Sequence, residues 1–140
     1  SKYKYTQNTI LHKYPKTEFL KTNKQVYKIR KNYNLQIDFF LSTSFFESMY
    51  YNQPVILIYD DRLLYGCYKS FKKYLKILKK NNICFYNSSD ASKFINKNYN
   101  NLEDWWFSKS VQNVRKLFCK NFCKDSESPI KDFERSLNIR

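Results

Sequence analysis

The most confining feature of this sequence is Val55-Ile56-Leu57-Ile58-Tyr59, apolar at every position and bounded by Pro54 and by Asp60-Asp61-Arg62. A strand with one face in water alternates apolar and polar residues, because successive side chains point to opposite faces. A strand apolar on both faces belongs in a parallel sheet covered by helices above and below. Three other short stretches read as companion strands: Thr9-Ile10-Leu11-His12, Ile37–Leu41 and Ile83–Tyr86.

Helical patterns fill the intervals. Phe45 to Tyr51 carries apolar Phe45, Phe46 and Met49, and ends before Pro54, which biases its predecessor away from helical geometry. From Cys67 to Lys80, Tyr68, Phe71, Tyr74, Leu75, Ile77 and Leu78 fall at helical spacing, with lysines on the other side. Ser88 or Ser89 is placed to cap a helix holding Ala91, Phe94 and Ile95. Leu102–Phe107 and Val111–Phe122 read as consecutive helices, with Ser110 a candidate cap for the second. Further helices are expected near Lys24–Lys31 and from Ser126 onward, the latter with Phe133 and Leu137 inward. The fold class is therefore α/β: a small Rossmann-like parallel sheet of about four strands, flanked by helices, with a C-terminal helix cluster. No internal repeat or low-complexity linker divides the chain, so residues 1–140 are read as one domain and residues 101–140 as its helical extension.

Charge is lopsided, with 26 Lys+Arg against 12 Asp+Glu, a net +14. A polyanionic partner follows from such a balance: nucleic acid, a phosphate-bearing substrate or an acidic membrane. Codon bias is a second source of the same charge. Lys, Asn, Tyr, Phe and Ile abound, while Gly occurs once and Ala only at Ala91. The abundant residues have codons rich in A and T, so part of the +14 reflects genome composition on solvated faces.

The chain starts Ser1-Lys2-Tyr3 without Met, and its first residues lack the apolar core and cleavage site of a signal peptide. It is expected to be a processed product or a piece of a longer chain. No apolar run approaches the ~20 residues that span a bilayer. Cytoplasmic residence is expected, with peripheral contact on the inner face of the cytoplasmic membrane. Cys67, Cys84, Cys119 and Cys123 lack paired C-x2-C spacing, and small apolar packing in a reducing compartment suits them better than a zinc site.

Ligands of open parallel sheets bind beyond the carboxyl ends of the strands. His12-Lys13, Ser42-Thr43-Ser44 and Asp60-Asp61-Arg62 reach that edge in this reading. The middle segment has most chemistry. A strand ends, three hydroxyl residues follow, and a helix begins whose free N–H groups and dipole suit a phosphate. Glu47, one turn on, is placed to accept from a ribose diol. Ser44-x-x-Glu47 also fits a capping box, in which each residue bonds the other's backbone N–H, and spacing alone favours that structural reading.

The run Leu41-Ser-Thr-Ser-Phe-Phe-Glu-Ser-Met-Tyr-Tyr-Asn-Gln-Pro-Val-Ile-Leu-Ile-Tyr-Asp60 resembles the Ser/Thr-Thr-x-x-Glu…Pro-x-Ile pattern of bacterial GT-B glycosyltransferases. More narrowly, the chain resembles a family of transferases linked to O-antigen and other surface polysaccharides. The helix Lys69–Lys80, the segment Ile83–Ile95, Asp104-Trp105-Trp106 and Arg115-Lys116-Leu117-Phe118-Cys119 follow in the family's order. The resemblance covers about residues 8 to 125. It implies half of a GT-B fold, the C-terminal nucleotide-sugar-binding domain, with Ser42, Thr43, Ser44 and Glu47 holding the donor nucleotide or its diphosphate. His12 and Lys13 would be a basic strand end near the phosphates. The implied partners are a nucleotide-sugar as substrate, a glycan or lipid-linked glycan acceptor, and an N-terminal acceptor domain carrying the general base. No metal or other cofactor is implied, and nucleic acid is not the expected partner. The Gly-rich loops common in GT-B enzymes are missing, since Gly66 stands alone.

Other residues carry paired readings. His12 is the lone histidine, suited to acid–base work yet without a visible carboxylate partner. Asp60-Asp61 fits a divalent metal or a capped turn, and Trp105-Trp106 fits a stacking platform or core packing. Cys119 has neither a nearby base nor a helix start to activate it as a nucleophile. Two other functions stay open: a basic module for single-stranded nucleic acid, and a non-catalytic interaction domain of the same fold.

Overall fold

Val55–Ile58 (β2) is the middle strand of the sheet, and Val55, Ile56 and Leu57 are completely buried. The structure is a computed structural model that describes residues 2–17, 19, 32–60, 62 and 69–123. In chain order its elements are α1 (Lys2–Lys13), β1 (Gln36–Asp38), α2 (Thr43–Tyr50), β2, α3 (Lys69–Lys80), β3 (Cys84–Phe85), α4 (Ser88–Asn98), a 3-10 turn (Tyr99–Asn101), α5 (Leu102–Phe107) and α6 (Lys109–Phe122). The strands lie in the order β1-β2-β3, all parallel, with Ile37 opposite Ile56 and Leu57 opposite both Asp38 and Cys84.

A sheet that grows in one direction through crossovers of one hand places those helices on the same face. The core bears this out. Val55, Leu57 and Tyr59 point toward Phe45 and Met49 of α2, Leu75 and Leu78 of α3, Trp106 of α5, and Val111 and Phe118 of α6. Ile56 points the other way, to Phe85, Ala91 and Phe94, where α4 covers the sheet. The period-two split of an all-apolar strand thus feeds two cores at once.

The sheet has three strands among the described residues, not about four. Thr9–His12 lies inside α1; two apolar residues in a row, Ile10 and Leu11, do not separate a strand from one turn of helix. β1 is also shorter than expected. It ends at Asp38, and Phe39 and Phe40 stand outside it, 64% and 63% exposed. Caps moved as well. Asn87, not Ser88 or Ser89, caps α4 by accepting the N–H of Asp90 at 2.8 Å. Ser108, not Ser110, occupies the cap position of α6. The expected helices at Lys24–Lys31 and beyond Ser126, together with Asp61, Gly66 and Cys67, lie outside the described residues.

In a chain with one glycine, asparagine supplies the left-handed helix stops. Asn52 and Asn82 have φ of 56° and 58°. At the end of α2, Gln53 N–H bonds the Ser48 carbonyl at 2.9 Å and Asn52 N–H bonds that of Met49 at 3.4 Å. At the end of α3, Ile83 N–H bonds Leu78 O at 3.0 Å and Asn82 N–H bonds Lys79 O at 3.1 Å. Both are Schellman motifs, whose left-handed residue is ordinarily Gly and sometimes Asn. Their side chains differ in use. Asn52 Oδ1 accepts from Trp106 Nε1 and Gln112 Nε2, both at 3.0 Å. Asn82→Gly is therefore expected to raise stability by about 0.5 kcal/mol through relief of the positive φ. Asn52→Gly is expected to lower it by about 1–2 kcal/mol through the two lost hydrogen bonds. Urea denaturation of the pair checks the opposite signs.

Candidate functional site

Because the strands are parallel, Asp38, Ile58 and Phe85 end along one edge, and the loops that leave them share it. At the end of β1 the chain turns through Phe39–Leu41, with Ser42 N–H on the Phe40 carbonyl at 2.9 Å. Ser42 has extended backbone and is the N-cap of α2, its Oγ accepting the Phe45 N–H at 3.3 Å. The capping box expected at Ser44-x-x-Glu47 is thus displaced: the cap stands two residues earlier. Glu47 is half-buried in the middle of α2 rather than in the first turn, where it would close such a box.

The hydroxyls are committed to a carboxylate that sequence reading passed over. Ser42 Oγ and Ser44 Oγ are 2.8 Å apart. Ser44 donates to Asp38 Oδ1 at 2.9 Å, and Ser42 lies 3.3 Å from the same oxygen. Gln36 Nε2 donates to the other carboxylate oxygen, and fully buried Ser48 donates to Gln36 Oε1 at 2.9 Å. A polar chain therefore runs from the buried side of α2, through the sheet edge, to the helix start. The amides of Thr43 and Ser44, which a helix leaves without internal partners, have no acceptor among the described residues. Asp38 left one trace in the sequence, as the only acid inside the apolar run Ile37–Leu41.

Ser42, Thr43 and Ser44 thus share one helix start at the carboxyl edge, with Glu47 about a turn further along the same helix. His12 and Lys13 are the last turn of α1, where the helix dipole favours cations, and not a strand end. Both are exposed; Lys13 Nζ lies 5.5 Å from the Tyr14 ring centre, and no described hydrogen bond joins either residue to Ser42–Glu47. A shallow cleft between Asn34 and the Tyr99–Asp104 segment lies at the opposite, amino edge of the sheet.

Residues 1–137 match the family described as LIC12162 family transferase. The chain belongs to this transferase family. No curated protein and no solved structure matches it.

In this LIC12162 family member the far end of α2 is held as firmly as its start. Arg115 of α6 donates from Nη1 to the Met49 carbonyl at 2.8 Å and from Nε to Gln112 Oε1 at 3.1 Å. A guanidinium at a helix C-terminus adds a charged donor to a terminal carbonyl, here one that the Asn52 N–H also reaches, and complements the dipole. Gln112 in turn donates to Asn52 Oδ1 and to the Trp106 carbonyl. Trp106 Nε1 bonds Asn52, and Trp105 Nε1 bonds the Asn81 carbonyl at 3.1 Å. The two tryptophans therefore fasten the ends of α2 and α3. Trp106 is fully buried, so it packs in the core and offers no stacking face.

The remaining alternatives narrow in the same way. Asp60 is bonded by the Arg62 guanidinium and accepts the Arg62 N–H at 2.9 Å, as a turn cap does. Burial pushes the Cys84 thiol up to about 12. Burial, and then the neighbouring Cys119, push Cys123 up to about 12. Cys119 is raised too, again chiefly by burial, with Arg115 opposing. These are packed thiols that stay protonated at neutral pH, not nucleophiles. Among the described residues no three His, Cys, Asp or Glu gather around a metal position, and no helix is long and apolar enough to cross a membrane.

Proposed function

We propose that this chain is the donor-binding domain of a glycosyltransferase, the C-terminal half of a GT-B fold, serving transfer of a sugar to a surface-polysaccharide acceptor. The observation that carries this reading is the start of α2. It opens at the carboxyl edge of a parallel sheet, with the Thr43 and Ser44 amides at the positive end of the helix dipole. The diphosphate of a nucleotide-sugar is the ligand such a site suits. Glu47, one turn further, accepts from the ribose diol, and the exposed rings of Phe39 and Phe40 flank the base. Membership of a transferase family supports the reaction class. His12 and Lys13 enter the site only through the resemblance to GT-B enzymes.

In the reaction, the bond between the anomeric carbon and the phosphate oxygen breaks and a bond to an acceptor hydroxyl oxygen forms. The hydroxyl proton passes to a base on the acceptor domain. The charge that develops on the departing phosphate is met by the α2 amides, already oriented by the fold. The reading assigns no cofactor, because the α2 amides take the place of a cation at the leaving phosphate.

The test is a titration of the protein with UDP, CMP, GDP and a short single-stranded oligonucleotide. One nucleotide is expected to bind saturably, and Glu47→Ala to weaken it about fivefold, as loss of a hydrogen bond or two would. Oligonucleotide binding alone, indifferent to Glu47→Ala, would instead make the chain a nucleic-acid module. Failure of every nucleotide to bind the full-length protein overturns the proposal.

A further inference from the structure

Among the described residues the positive charge is not spread evenly. α3 carries Lys69, Lys72, Lys73, Lys76, Lys79 and Lys80, and α6 carries Lys109, Arg115, Lys116 and Lys120; neither helix has an acidic residue. All six described acids lie elsewhere: Asp38 at the end of β1, Glu47 within α2, Asp60 beside Arg62, Asp90 in α4, and Glu103 and Asp104 in α5. The two basic helices cover the same face of the sheet and pack on each other through Phe71, Tyr74, Phe118 and Phe122. Their inward stripes are fixed by that packing, which turns Lys69, Lys73, Lys76 and Lys80 of α3, and Lys109, Lys116 and Lys120 of α6, to solvent.

Codon bias enriches lysine everywhere, but it does not clear acids from one face while leaving them on the others. Like charges spaced three and four apart along a helix also destabilise it by a few tenths of a kcal/mol per pair. A face that accumulates them has a counter-charge to meet. We infer that the α3–α6 face docks on the surface of an anionic lipid bilayer. Two features favour lipid over nucleic acid. Binding of single strands needs aromatic platforms on which bases stack, and the exposed aromatics among the described residues, Tyr14, Tyr33, Phe39, Phe40, Tyr50, Tyr51, Tyr99 and Phe107, all lie off these two helices. Among the described residues, the one large apolar side chain exposed on these two helices is Leu117, next to exposed Lys116. Aliphatic bulk amid lysines suits a headgroup layer, where each basic residue adds its share of attraction independently of sequence or shape. This inference does not depend on the proposed nucleotide site.

The experiment is co-sedimentation of the protein with phosphatidylcholine vesicles, with and without about one-third phosphatidylglycerol, at near-physiological salt. Binding to the anionic vesicles alone is expected, and it should weaken as salt rises. The triple variant Lys73→Gln, Lys76→Gln, Lys80→Gln is expected to partition about a hundredfold less, and to keep its far-UV circular dichroism and its nucleotide affinity. A charge-matched control, Lys16→Gln, Lys93→Gln, Lys97→Gln, is expected to lose several-fold at most. Equal loss in the two triples, equal binding to neutral vesicles, or binding to oligonucleotides with none to vesicles overturns the assignment.

Discussion

Trp106→Ala is expected to remove about 3–5 kcal/mol of folding stability. The indole is completely buried between β2 and the helices of the larger core. Its N–H reaches both the carbonyl and the side-chain oxygen of Asn52, at 3.2 and 3.0 Å. Truncation therefore opens a cavity and takes the indole donor from the Asn52 carbonyl and side chain, leaving Gln112 alone on the latter. Domains of this size have only about 5–15 kcal/mol in total, so the variant should approach the unfolding threshold. Trp106→Phe separates the two contributions. It keeps most of the ring and loses the donor, and is expected to cost about 1–2 kcal/mol beyond the lost ring area. Urea titrations followed by circular dichroism give both numbers. A Trp106→Ala cost below about 1 kcal/mol, the scale of a surface change, would sink the idea that this residue pins α2 to the core.

Why some of this was legible and some was not follows from the range of the interactions involved. β2 announced itself because all its positions are apolar, and α3 because its lysines and apolar residues separate at helical spacing. Those are local signals. Ser42, Thr43 and Ser44 fall together at one helix start, with Glu47 about a turn on, because they are near neighbours in sequence. The cap itself was misplaced because it depends on where β1 stops, and that is decided by pairing with β2 and by Asp38 taking the serine hydroxyls. His12 and Lys13 depended on a fourth strand; once Thr9–His12 is helical, nothing in their sequence brings them to the edge. Arg115 was visible as part of a motif but not as a helix stop, because its acceptor is sixty-six residues away. Asn52 was hidden by habit, since the left-handed turn is ordinarily sought at glycine.

Asp38→Asn is expected to tighten binding of a nucleoside diphosphate by tenfold or more. The carboxylate lies against Ser42 and Ser44, whose hydroxyls it holds, at the same helix start to which the proposal assigns the phosphates. Two unit charges roughly 6 Å apart repel by about 3 kcal/mol at an effective dielectric of 20, and solvent at the sheet edge reduces that by about half. The substitution removes this repulsion while keeping an oxygen where Ser44 donates. The Asn amide would then face Gln36 Nε2, but Gln36 can turn its own amide over, because Ser48 Oγ accepts as readily as it donates. Asp38→Ala lacks that oxygen and releases both serines, so its gain in affinity should be smaller and its stability lower. Calorimetric titration at two salt concentrations reads the effect, and the advantage of the Asn variant should shrink as salt rises. Weaker binding by Asp38→Asn at both salts would mean that the carboxylate itself accepts from the ligand. In that case the α2 start is an edge that receives sugar hydroxyls, and the phosphates belong elsewhere.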